Sequence, residues 1–228
     1  VALTRWQKTG LGLVVVATVA VAGVALATAG TARTADPMAT TDAAATPVPT
    51  ATREVPAQTP APVEVEVDPA VQAQLDYVLA HWAPETYNSA EYGVVNENDC
   101  VNFSSQALIE RGWQMDDAWN NPMTGNAYAA SSAWVSSTAL MNYIADSGRA
   151  TALTDDQRDQ VKVGDVAQFD WDNSGDRDHT GIVTRVEGTG DDVSIFFAGH
   201  TLDSDYRSVD TAITEDHPGA TAYYWSIP

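Results

Sequence analysis

Hydrophobic and polar positions change rhythm twice along this chain. Residues 11–29 form a run of Val, Ala, Leu, Gly and Thr that no charge interrupts. Residues 31–65 scatter Ala and Val among Thr and Pro with neither a helical nor a strand period. Regular periods begin near Val67. Asp68-Pro69 reads as a helix cap followed by Pro at the first helical position, and Val71, Leu75, Val78, Leu79 and Trp82 then recur on one helical face. A second helix is predicted over 100–111, capped by Asn98 or Asp99 and ended by Gly112. A third covers 137–146, with Leu140, Tyr143 and Ile144 inward and Gly148 closing it. After Gly164-Asp165 the period becomes that of strands, at 166–169, 180–186, 193–198 and near 222–227, with a turn at Gly188-Thr189-Gly190. Helices followed by an antiparallel sheet predict an α+β domain.

The irregular N-terminal part has its own logic. Arg5 and Lys8 precede the apolar run, and Ala27-Thr28-Ala29 offers small residues for cleavage, so 1–30 reads as an export signal. The run is 19 residues long, enough to cross a hydrocarbon core of ~30 Å, so a cleaved signal peptide and a retained membrane anchor through Leu11 to Ala29 both stay open. Basic residues ahead of the run place the C-terminal remainder of the chain outside the cytoplasm, secreted or held at the outer face of the membrane. The Ala/Thr/Pro-rich segment 31–66 is expected to be a disordered linker, because it lacks the apolar residues that would offset ordering entropy. The remaining residues, 67–228, suffice for one domain, expected to be monomeric.

Charge and cysteine count narrow the function. The formal net charge is -20, which excludes a nucleic-acid backbone as partner and a polybasic grip on anionic lipid. Five of the 31 acidic residues precede residue 67, leaving 26 against seven basic residues in the domain. One cysteine permits no intramolecular disulfide and no cysteine-built zinc or iron–sulfur cage, and no cofactor is expected.

That cysteine is the candidate nucleophile. Cys100 falls in the first turn of the second helix, where unpaired N–H groups and the dipole favour a thiolate. Its neighbours Asn98, Asp99 and Asn102 are polar, which is unlike the setting of a purely packing cysteine. A base is needed, and two histidines are suitably placed. His179 opens one strand and His200 ends the next, so strand pairing would make them neighbours, one to take the thiol proton and one to orient it. His81 and His217 read as structural. The backbone N–H of Cys100 is the first oxyanion donor; Tyr92, Asn96 or Asn98 could supply the second, and Trp134 could wall the cleft.

The stretch from Asn98 to Leu108, Asn-Asp-Cys-Val-Asn-Phe-Ser-Ser-Gln-Ala-Leu, with Gly112-Trp113 after it, resembles the Asp-Cys-x-Asn-Phe-x-Ser-Gln block of the bacterial putative amidase domain family. Ser132-Ala133-Trp134, Val163-Gly164-Asp165-Val166, Asp178-His179-Thr180-Gly181-Ile182-Val183 and Gly199-His200-Thr201 resemble its later blocks in order. The resemblance implies a layout similar to papain-like cell-wall peptidases and amidohydrolases, with a helix-borne Cys100 as nucleophile facing a sheet that carries His179 as base and His200 as orienting group. Taken with the export signal, it points to an exported cysteine amidohydrolase working through a thioester acyl-enzyme, with amides in peptides or peptidoglycan-like material expected as substrates by analogy and location. The contrasting expectations are a cell-surface binding module that keeps the fold without catalysis, and a calcium-organised adhesion domain. The latter would use Asp170, Asp172, Ser174 and Asp176, which open like a calcium loop; the closing acid is missing, because Gly181 stands at the twelfth position, so a solvated acidic loop is the expected state.

Overall fold

The computed structural model describes residues 67–228. The signal or anchor expected at 1–30 and the linker at 31–66 lie outside the described residues. Among the described residues no helix is long and apolar enough to cross a membrane.

The helical half comes first. α1 (Pro69–His81) is capped by Asp68, whose Oδ1 accepts the Ala70 N–H at 2.8 Å, and Pro69 opens it. The one-turn helix α2 (Ser89–Tyr92) leads to α3 (Cys100–Glu110). The short α4 (Ser132–Val135) and α5 (Ser137–Ser147) come next, and Gly148 ends α5 in the left-handed conformation at φ 64°. The strands are β1 (Thr151–Thr154), β2 (Val166–Asp170), β3 (His179–Glu187), β4 (Ser194–Gly199), β5 (Ser204–Ser208) and β6 (Thr221–Ser226). Between β5 and β6 lies α6 (Val209–Thr211), which runs into a π turn, Ala212–Asp216. The sheet order is β1-β6-β2-β3-β4-β5, with neighbours antiparallel, so the α+β class holds.

Both faces of this sheet are covered. Val166, Ile182, Ala198 and Trp225 pack against the helices with Cys100, Phe103, Leu140 and Ile144. Ala167, Phe169, Val183, Phe197 and Tyr224 point the other way, under Val209 and Ala212. Residues of one strand therefore alternate between two separate cores, and residue parity decides which core a side chain joins. Gly181 belongs to this economy. A Cβ there would lie 2.5 Å from Phe197 Cδ2 and 2.6 Å from the Ala198 carbonyl, so only Gly lets β3 and β4 approach.

α3 is the centre of the helical layer. Every residue from Cys100 to Leu108 is buried, although four of the nine are Asn, Ser, Ser and Gln. Each of these polar side chains has a partner, as burial demands. Asn102 Nδ2 donates to the Gly93 carbonyl and Asp99, while its Oδ1 accepts from Trp134 Nε1 at 2.9 Å. Ser104 donates to the Cys100 carbonyl, Ser105 joins the Trp119 indole to the Trp134 carbonyl, and Gln106 accepts from Tyr77. The polar motif around the cysteine is thus largely a device for fastening α3 to its neighbours.

Candidate active site

Cys100 is the first residue of α3, as its position in the sequence suggested, and it is 5% exposed. Its Sγ lies 3.8 Å from Ser137 Oγ, at the start of α5. Burial pushes the thiol pKa up, and the backbone N–H groups of Thr180 and Val101 and the Ser137 hydroxyl only partly offset it. The helix terminus is expected to favour a thiolate; in this conformation desolvation outweighs it and favours the protonated thiol. Around it runs a buried polar network. Ser137 Oγ accepts from Thr180 Oγ1 at 2.9 Å, and Gln168 Nε2 donates to Thr180 Oγ1 and to the Ser137 carbonyl.

β3 and β4 pair as expected, which brings the start of one beside the end of the other. The two imidazoles nevertheless diverge. His179 stands one residue before Thr180, so alternation turns it to the sheet face away from Cys100. There its ring meets Phe169, Trp171 and Phe197. Burial lowers its pKa to about 3, with Arg207 and His217 adding repulsion. Among the described residues no hydrogen bond joins the His179 ring to Cys100.

His200 lies on the helical side. Its ring is sandwiched between Tyr87 and Phe103, with centroids 3.6 and 3.9 Å away. Nδ1 is 2.6 Å from Asp99 Oδ2, and Nε2 donates to the His81 carbonyl at 2.9 Å. Both members of this pair are almost fully buried. Asp99, expected as a helix cap, caps nothing with its side chain; its other oxygen accepts the Val95 N–H and Asn102 Nδ2. The hydrogen-bond partners of His200 are thus Asp99 and the His81 carbonyl rather than His179. His200 is an imidazole with a carboxylate of its own.

The remaining expected residues form no hydrogen bond with the sulfur. Trp134 is fully buried in the core, stacked on Tyr92 and tilted against Trp119, and walls no cleft. Tyr92 is held in that same stack, and Asn96 and Asn98 are exposed on a single 3₁₀ turn ahead of Asp99. The group that meets the thiol is Ser137, linked in turn to Thr180 and Gln168. The one signal that could have found them is a glutamine inside the otherwise apolar run Val166-Ala167-Gln168-Phe169.

In the acidic loop, carboxylate oxygens of Asp170, Asp172 and Asp176 come within 4.8 Å of one another. The loop's own groups engage them: Asp170 accepts the N–H groups of Ser174 and Gly175, Asp172 accepts that of Ser174, and Ser174 Oγ donates to Asp176.

Residues 70–225 match the family described as a putative amidase domain. The chain belongs to that family. Its membership makes amide hydrolysis the general activity, and the chain a hydrolase. No curated protein and no solved structure matches the chain.

Proposed function

We propose that this family member is a cysteine amidohydrolase in which Cys100 attacks the amide carbonyl and His200, held by Asp99, is the base. One observation carries the reading: the single cysteine and a buried His–Asp pair share the helical face of the sheet, with Asp99 next to Cys100 in the chain. A base needs one ring nitrogen held by an orienting group and the other turned to the nucleophile. His200 has the first, through Nδ1; its Nε2 rests on the His81 carbonyl. Activation then requires Nε2 to leave that carbonyl and lose to water the proton it donates there, so that Nδ1–H stays on Asp99 and the freed Nε2 lone pair takes the thiol proton. The sulfur adds to the carbonyl carbon, Nε2 returns the proton to the departing amine nitrogen, and water hydrolyses the thioester. The backbone N–H groups of Thr180 and Val101 and the Ser137 hydroxyl pull the thiol pKa down, which favours the anion. The export signal read at 1–30 makes amides of cell-wall peptides the proposed substrates.

The buried, protonated thiol favours one other reading, a binding module of the same fold. Incubating the full chain with peptidoglycan fragments and resolving products by mass spectrometry separates the two. Turnover is expected, lost in Cys100→Ser and His200→Ala by a factor of ~10³ or more and retained within about tenfold in His179→Ala. Loss in His179→Ala with retention in His200→Ala would overturn the base assignment. Absence of product, together with iodoacetamide labelling of Cys100 only after denaturation, would leave the binding module.

A further inference from the structure

A pocket of about 280 Å³ runs between α5 and the sheet edge formed by β1 and β6. Met141 and Ala145 line it from the helix, Ala152, Tyr223 and Trp225 from the strands, and Arg177 stands in its lining from the loop before β3. The walls are mostly apolar and aromatic, and the guanidinium is the one charged group among them.

Arg177 is short of acceptors. Its carbon centre sits 3.5 Å from the Tyr223 ring centroid, and its side chain is 11% exposed. Nη1 donates to the carbonyls of Asp176 and Gly175, and its ion pair with the buried Asp170 is long, at 3.8 Å, with no hydrogen bond between them. Nε is buried and has no acceptor among the described residues. A nearly buried guanidinium left so in a chain of net charge -20 is suited to a carboxylate, which a planar fork takes with two hydrogen bonds.

The pocket is also tied to the thiol. The Arg177 N–H donates to Thr138 Oγ1 at 2.8 Å, and Thr138 comes directly after Ser137, whose hydroxyl faces Cys100. From the other wall, Trp225 Nε1 donates to Gln168 Oε1, and Gln168 donates to the Ser137 carbonyl and Thr180. The charged end of the pocket therefore lies beside the thiol's own hydrogen-bond network, with the apolar part extending along α5.

We propose that this pocket binds the C-terminal residue of the substrate, its free α-carboxylate on Arg177 and its apolar side chain between Met141, Tyr223 and Trp225. The substrates are then N-acylated apolar amino acids and peptides that end in one. Resting on the cysteine reading above, the inference deepens it by fixing which side of the amide is recognised.

Binding can be measured without the nucleophile. The full chain carrying Cys100→Ala is titrated calorimetrically with N-acetyl-L-phenylalanine, its carboxamide, and N-acetylglycine. The free acid of phenylalanine should bind at least about tenfold more tightly than either of the others, the loss expected for one charge-assisted hydrogen bond or a buried side chain. Arg177→Gln should erase the preference for acid over amide and Arg177→Lys should restore part of it. Ala145→Phe, which fills the groove, should erase the preference for phenylalanine over glycine. The Arg177 backbone carries the tie to Thr138, so these variants keep the loop anchored; circular dichroism checks it. Equal binding of acid and amide, no binding of any probe, or a preference that survives Arg177→Gln would overturn the proposal. Carboxylate-dependent binding with no hydrolysis by the unmodified chain would keep the pocket and sink the cysteine mechanism. Hydrolysis with no carboxylate preference would do the reverse.

Discussion

At the scale of single residues, the two histidines of the later motifs illustrate how one position along a strand changes chemistry. His179 is a neutral imidazole packed among Phe169, Trp171 and Phe197, and that location has a thermodynamic consequence. Its pKa falls from the ordinary 6.5 to about 3 in the folded chain. Between those values the unfolded chain binds the extra proton and the folded chain does not, so stability falls as pH drops below about 6.5 and the loss ends near 3. At pH 5 the expected loss is about 2 kcal/mol. Replacing the imidazole by a side chain that does not titrate removes this component. Melting temperatures of the unmodified chain and of His179→Leu, compared at pH 7 and pH 5, should show the steeper fall in the unmodified chain. Equal falls would place His179 in contact with water.

At the scale of elements, α3 and the strands it meets hold the site together through Asp99. One carboxylate accepts from Val95, Asn102 and His200, and thereby joins the turn before α3, α3 itself and the end of β4. Removing it strands buried donors on three elements, and breaking a buried pair in this way costs about 3–5 kcal/mol. Asp99→Ala should lower the melting temperature by about 10 °C. His200→Phe keeps the stack between Tyr87 and Phe103 and should lose less stability while losing activity; a scan of both variants by calorimetry checks the order. The same elements explain what was legible in the sequence. α1, α3 and α5 were, each from a different signal: the Asp68-Pro69 start of Pro69–His81, the Gly112 stop after Cys100–Glu110, and the apolar face and Gly148 stop of Ser137–Ser147. On α1, however, Leu79, expected inward, is exposed and Gln74 is buried, and α3 is buried on every side with no side-chain cap from Asp99. β1 and β5 were not: Thr-Ala-Leu-Thr and Ser-Asp-Tyr-Arg-Ser are short, polar edge strands, which carry little alternating signal. The facing of His179 was hidden for a different reason. The first six residues of β3 are all buried, so polarity does not mark which parity faces the helices. Thr180, polar by sequence, is the one that meets Ser137 and Gln168, and His179 is the one in the apolar layer.

At the scale of the whole molecule, the excess of negative charge has to be carried by a fold whose cations are mostly already committed. Arg149 pairs with Asp116, Arg158 with Asp155 and Asp210, Arg185 with Glu187, and Arg207 with Asp216. These pairs touch only five of the domain's 26 acidic residues, so among the described residues most carboxylates have no basic side chain within 4.0 Å and their like charges add. Repulsion among them opposes the compact state and is long-ranged, whereas each exposed pair contributes at most about 1 kcal/mol. Salt weakens both, because the screening length shrinks from about 30 Å at 0.01 M to about 3 Å at 1 M, but the more numerous repulsions are weakened more. Added NaCl should therefore raise the melting temperature by a few degrees between about 0.02 and 0.5 M. The acidic loop supplies the control. Its carboxylates at Asp170 and Asp172 already accept loop N–H groups, so CaCl₂ at matched ionic strength should raise the melting temperature no further than NaCl does. A fall with NaCl would mean that the ion pairs outweigh the repulsion. An extra rise with calcium, abolished in Asp172→Ala, would mean that the loop exchanges its backbone donors for a cation.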